Sequence, residues 1–168
     1  MSKSLQSSNA AAKPPRAYPK PTCFEVRQSP IHGRGVFAIE RIRKGQRIVE
    51  YLGERITPEE GEQRYDDDAA EHPHVLLFTV DDTTVIDGGV NGNEAIYINH
   101  SCDPNCEAVS TGGRIFIRAL HVIQVGEELA FDYALERPGD FLLEWKERYM
   151  CRCGSPICRG TMLALSEV

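Results

Sequence analysis

Three of the six cysteines stand in the run Cys151-Arg152-Cys153-Gly154-Ser155-Pro156-Ile157-Cys158. Thiolates this close, on a loop containing glycine and proline, can converge on one tetrahedral metal, and zinc suits sulfur ligands best. Three ligands leave one position to fill, for which Cys102, Cys106, Cys23 and His100 are the candidates. The competing chemistry is disulfide formation, which belongs to oxidising compartments. The first residues hold no continuous apolar run of the secretory kind, so a reducing compartment and a metal are expected instead.

A second concentration of able side chains is Tyr97-Ile98-Asn99-His100-Ser101-Cys102-Asp103-Pro104-Asn105-Cys106. Its Asn, Ser and Asp-Pro residues predict an irregular loop rather than helix or strand, and such loops often carry binding groups. His100 alone reads as a satisfied structural imidazole; the segment as a whole argues for a site. Gly126-Glu127-Glu128-Leu129-Ala130-Phe131-Asp132-Tyr133 is by composition a strand ending in an aromatic, whose hydroxyl needs a partner if buried. Gly33-Arg34-Gly35-Val36-Phe37 is a glycine pair without the third glycine and following helix of a dinucleotide-binding fingerprint.

The elements that must position these groups read as short β-type runs over 24–26, 36–39, 47–51, 75–80, 85–87, 114–118 and 128–131. Between them fall turn signals, among them Lys44-Gly45, Asp81-Asp82, Gly88-Gly89 and Gly112-Gly113. Thr57-Pro58-Glu59-Glu60 joins a capping box to a proline at the first helical position and predicts a helix over 58–70. A second helix is expected after Asp140, where Phe141, Leu142, Trp145 and Tyr149 return to one face. The fold class is therefore mostly β with few short helices.

With 168 residues, 41% hydrophobic and 26% charged, the chain can form one domain with a real core. No run approaches the roughly 18 apolar residues of a membrane span, so no membrane partner is expected. The net charge of −6 argues against direct nucleic-acid binding. Residues 1–21 carry Lys3, Lys13, Arg16 and Lys20 and no acid, leaving 15 basic against 25 acidic side chains, a balance of −10, in the remainder. Rich in Ser, Pro and Ala, those 21 residues are expected to form a flexible basic leader.

Taken in order, HGRGVFA (32–38), KGQRIVEYLGE (44–54), YINHSCDPNC (97–106), GEELAFDY (126–133) and CRCGSPICRGTM (151–162) resemble the SET-domain protein lysine methyltransferases. The resemblance runs from about residue 24 to 162. It implies a SET domain over 22–135, a post-SET zinc-binding segment over 136–168, and several small β-sheets with a knot-like C-terminal threading, a topology too rare for composition to suggest. It also implies S-adenosylmethionine as cofactor. Backbone around Gly33, Arg34 and Gly35 would cradle its methionyl end, and Asn99 and His100 would contact it. Tyr133 would touch the cofactor and serve as catalytic tyrosine, with Phe131 and Tyr97 beside it. Cys102 would join Cys151, Cys153 and Cys158 at zinc in preference to Cys106. No cysteine-rich pre-SET stretch lies ahead of the domain in this sequence, so a single zinc is expected.

The implied activity is methylation of lysine on a basic protein tail, with histone the leading substrate class. The alternatives are a non-histone protein substrate and a catalytically weak SET-type binding module. The location implied is intracellular: nucleus or chromatin if the protein is eukaryotic or delivered to a host, cytoplasm if bacterial. Two positions depart from the family pattern. Leu76 stands where many relatives place a channel tyrosine, and Ile96 where an arginine often precedes the Asn-His pair. The physical demands agree with the resemblance. A sulfonium methyl is attacked in line by a neutral amine, so alignment is the main task. The lysine, with a free pKa near ~10.4, must lose its proton first, which an apolar channel and an adjacent cation both favour. Phe131 offers no hydroxyl to hold a water beside the amine, which implies di- or trimethylated products. Eight acids between Glu54 and Glu71 read either as a solvated helix face or as an attractor of basic peptides.

Overall fold

A computed structural model describes residues 23–65, 76–136 and 147–164. The expected leader, residues 66–70 of the expected first helix and most of the second helix lie outside them.

The main sheet begins with the hairpin of β1 (Phe24–Gln28) and β2 (Arg34–Ala38), which are antiparallel around a turn containing Gly33 at φ +46°. β10 (Glu128–Phe131) lies antiparallel to β2 and parallel to both β7 (Asn99–His100) and β8 (Cys106–Thr111). β9 (Arg114–Ala119) bridges β8 to β3 (Arg47–Tyr51), which gives a seven-stranded sheet in the order β1-β2-β10-β8-β9-β3 with β7 alongside β10. The two-residue turn joining β8 to β9 holds Gly112 and Gly113 at φ +58° and +71°. That left-handed pair matches the twist of a tight hairpin and suits glycine. A second sheet of three strands runs β4 (Glu54–Ile56), β6 (Thr84–Asp87), β5 (Leu77–Asp81). Its alternating apolar residues and those of the main sheet meet in a core that includes Val36, Ile42, Ile98, Ile117, Ile123 and Leu129.

All seven expected strands form, two with the expected bounds and five with a bound moved by one or two residues. Three strands had no sequence signal of their own. β4 is three residues long, two of them charged, and is held by pairing with β6. β8 carries mixed side chains and is fixed by β9. β7 overturns the expectation that 97–106 is wholly irregular: Asn99 and His100 pair with Ala130 and Phe131, a long-range partnership that local composition does not express. Ahead of β7, Glu94–Tyr97 forms one turn of 3-10 helix.

The helix α1 (Pro58–Arg64) starts as the capping box predicts, with Thr57 Oγ1 accepting from Glu60 N at 3.2 Å. It ends at Arg64, within the expected span. Tyr65 leaves the helical backbone, at φ −120° and ψ 79°, while its hydroxyl donates to buried Asp87 at 2.7 Å. The same ion cluster draws on the acidic stretch. Arg64 pairs with Glu54 and Glu60 at 2.6 Å and with Asp87 at 2.9 Å, so two of the eight acids are spent on holding the helix to the small sheet.

Candidate active site and metal centre

Two cavities meet at the end of β10. The larger, about 410 Å³, is bounded by Gly33, Arg34, Tyr97, Asn99, His100 and Cys151. The smaller, about 310 Å³, is lined by Tyr51, Phe78, Ile98, Phe131 and Tyr133. Ile96 and Tyr133 border both. Each is large enough to receive a small molecule or a side chain.

Tyr133 is placed one residue beyond Asp132 at the β10 terminus. Its hydroxyl donates to Ile98 O at 2.8 Å, and its ring centroid lies 4.9 Å from Phe131 and 5.3 Å from His100. Burial, with Tyr51 and Glu128 nearby, pushes the phenol well above its ordinary range, so it stays protonated at neutral pH. Tyr51 and Phe78 are 5.2 Å apart and Phe78 and Phe131 6.0 Å apart, which makes a continuous aromatic wall along the smaller cavity. Tyr51 was not singled out from the sequence, although it lies in an expected strand and in the 44–54 stretch that carries the resemblance. It donates to Leu76 O at 2.7 Å and supplies a phenol to this wall. Leu76 itself borders the larger cavity and not the smaller one.

His100 is 3% exposed. Tyr133 N donates to its Nδ1 at 3.1 Å, which leaves the ring proton on Nε2, 3.3 Å from Cys102 Sγ. Burial holds the imidazole neutral with a pKa of about 4, against the opposing pull of Asp132. Tyr97, expected beside the catalytic tyrosine, stands on the larger cavity, where the Arg34 guanidinium covers its ring at 4.3 Å. Asn99 also faces that cavity, yet its amide nitrogen is committed inward, at 3.3 Å from His32 O and 3.1 Å from Arg34 O. Gly33 and Arg34 line the cavity, whereas Gly35 lies behind them: a Cβ there would stand 2.2 Å from Glu128 Oε1.

The sulfurs of Cys102, Cys151, Cys153 and Cys158 lie within 4.8 Å of one another. Cys102 is 3.6 Å from Cys151 and 4.0 Å from Cys158. A tetrahedral thiolate site with metal–sulfur bonds of about 2.3 Å has sulfur–sulfur edges of about 3.8 Å, so the cluster has the dimensions to hold a metal ion. Backbone N–H groups of Cys153, Arg159 and Gly160 each approach a sulfur at 3.4 Å, the donors a thiolate set needs. Cys106 is buried in the hydrophobic core, and neither it nor Cys23 belongs to the cluster. The cluster ties residues 149–164 to the body, helped by Arg159, whose guanidinium holds Asp132 in two hydrogen bonds of 2.5 and 2.7 Å. Asp132 Oδ1 also accepts from Ala134 N at 3.0 Å and so steadies Ala134 at φ +44° immediately after Tyr133.

The SET-domain family model matches residues 33–134. The chain belongs to the SET-domain family. It is 43% identical over 148 residues to the "Histone-lysine N-methyltransferase, H3 lysine-4 specific" of Saccharomyces cerevisiae and, to the same degree, to that of Eremothecium gossypii. It is 40% identical over 152 residues to the protein so named in Candida albicans. These matches cover 84% of this chain but only 13 to 14% of the relatives. Mostly strands with one α-helix among the described residues, the architecture is consistent with a SET domain. No helix among the described residues is long and apolar enough to cross a membrane.

Proposed function

We propose that this SET domain is a protein-lysine methyltransferase that uses S-adenosylmethionine and acts on a histone tail. The observation that carries the reading is that Tyr133 borders two cavities, one edged by the Gly33–Arg34 turn, Asn99 and His100, the other by the rings of Tyr51, Phe78 and Phe131. In this reading the larger cavity takes the cofactor, and its lining of Gly33, Arg34, Asn99 and His100 fits a zwitterionic ligand. When bound there, S-adenosylmethionine supplies an electrophilic methyl on a sulfonium. The smaller cavity takes the lysine side chain. Tyr51, Phe78 and Phe131 surround its methylenes and disfavour the ammonium form by excluding water. The Tyr133 hydroxyl donates to Ile98 O and so keeps its acceptor lone pairs, which can orient the amine from a residue that borders both cavities. No protein nucleophile is called for. The work of the chain is alignment, which is worth up to about 7–11 kcal/mol in favourable cases.

The four cysteines are read as a zinc site, in keeping with an all-sulfur tetrahedral set, and residues 136–168 as a post-SET segment, of which Met150, Cys151 and Met162 line the cofactor cavity. The domain bounds follow: a leader over 1–21 and the SET domain over 22–135. The names of the relatives make histone H3, at lysine 4, the first substrate to try, and a nuclear location goes with it. Incubating the protein with labelled cofactor and each core histone, followed by mass spectrometry of the labelled protein, tests the reading. Label on H3 supports it; no label on any histone, with cofactor binding intact by calorimetry, turns the search to other basic proteins.

A further inference from the structure

Glu128 opens β10, one layer behind the larger cavity. Its carboxylate accepts from Ser29 Oγ, at 2.7 and 3.0 Å to its two oxygens, and from Asn99 Nδ2 at 2.7 Å. Ser29 and Asn99 are each 8% exposed. Among the described residues no cationic side chain forms an ion pair with this carboxylate, although partly buried carboxylates ordinarily find one. Ser29 Oγ in turn accepts from Ile31 N at 2.9 Å, and the Asn99 amide reaches His32 O and Arg34 O. One carboxylate therefore anchors both side chains, Ser29 and Asn99, that bond to the backbone of the 29–34 turn walling the cavity. Gly35 is what lets it come so close, since any Cβ there would overlap Glu128 Oε1 and the Ser29 side chain. Its field also reaches the active tyrosine, because Glu128 is among the charges that raise the Tyr133 phenol.

We propose that Glu128 is a positioning residue that supplies the counter-charge for the cationic cofactor and so makes the cavity prefer the sulfonium form over the neutral thioether left after transfer. The inference rests on the reading of the larger cavity as the cofactor site. The sulfonium carries a positive charge that the thioether lacks; every other charge is common to the two. A fixed negative charge in a partly desolvated wall discriminates between them by Coulomb energy alone, and at an effective dielectric of ~20 a nearby unit charge is worth about tenfold or more in affinity. That preference would also speed product exchange, since methyl transfer itself removes the charge that Glu128 holds.

The test is calorimetric binding of S-adenosylmethionine and S-adenosylhomocysteine to the metal-loaded chain and its variants, with metal content and melting temperature recorded. Glu128→Gln preserves shape and most hydrogen bonding while removing the charge. It is expected to weaken the sulfonium ligand about tenfold and the thioether by threefold or less. Glu128→Asp keeps the charge but shortens the side chain; both ligands should weaken together and their ratio should stay near that of the unaltered chain. If Glu128→Gln weakens both ligands equally, the carboxylate merely shapes the turn and the proposal is overturned. If the unaltered chain binds neither ligand, the reading of the cavity fails instead.

Discussion

Tyr133 and Phe131 stand two residues apart on one strand end, and the methylation reading gives them different roles. Tyr133→Phe removes the hydroxyl of a residue that borders both cavities, and little volume. Methyl transfer should fall by about 10²–10³, the usual cost of one oriented transition-state hydrogen bond, while the fold is retained at a cost of about 1–2 kcal/mol for the lost bond to Ile98 O. Turnover at the original rate would remove Tyr133 from the mechanism. Because burial keeps this phenol protonated well past its ordinary range, it should not titrate during an assay. The rate should therefore climb about tenfold per pH unit between pH 7 and 9, following loss of the lysine proton, with no break attributable to Tyr133. Phe131 packs against Phe78 and Tyr133 and brings no polar atom to the smaller cavity. Phe131→Tyr would add an anchor for a water where further methyl groups must turn, shifting di- and trimethylated product toward monomethylated; product mass at long reaction times decides this.

At the scale of elements, the junction between β10 and the C-terminal segment carries the most consequence. Asn105 stitches β10 to the 97–106 segment, donating to Glu128 O at 2.7 Å and accepting from Ala130 N at 2.9 Å. Beyond it, the Arg159–Asp132 pair joins the chain between β10 and Tyr133 to the loop that bears Cys158. Arg159→Ala leaves the Asp132 carboxylate without its bidentate partner and should cost about 1–3 kcal/mol of stability. The expected signature is faster proteolytic cleavage within 147–164, with protection of the main sheet against hydrogen exchange retained. Uniform loss of protection across β1 to β10 would instead make the pair a general support of the fold.

On the whole-molecule scale, the cysteine cluster is the fastening between body and C-terminal segment, and one wall of the larger cavity, at Cys151, belongs to that segment. Metal analysis of protein purified without chelator should give one zinc per chain. Cys153→Ser, or treatment with a strong chelator, should remove the zinc and with it the cofactor binding measured by calorimetry. Cys106→Ser and Cys23→Ser should keep the metal, since neither sulfur lies in the cluster. A zinc content near zero in the unaltered chain would refute the assignment.

Much of this was written into short stretches of chain. The strands with alternating or continuous apolar runs, the capping box at Thr57 and the cysteine spacing act over a few residues, and local backbone preference suffices to express them. Resemblance in the 97–106 and 126–133 segments points to Asn99, His100, Cys102, Phe131 and Tyr133. What required the tertiary structure was every feature made by residues distant in sequence. The resemblance pointed to Cys102 among four possible fourth ligands, but its approach to Cys151, across 49 residues of chain, is a tertiary fact. The strand character of Asn99 and His100 exists only beside β10. Tyr51 became part of the aromatic wall because β3 and β5 bring it against Phe78, and Glu128 met Ser29 across 99 residues. Local sequence can specify a strand or a cap, but it has no term for which distant group a folded chain sets opposite it.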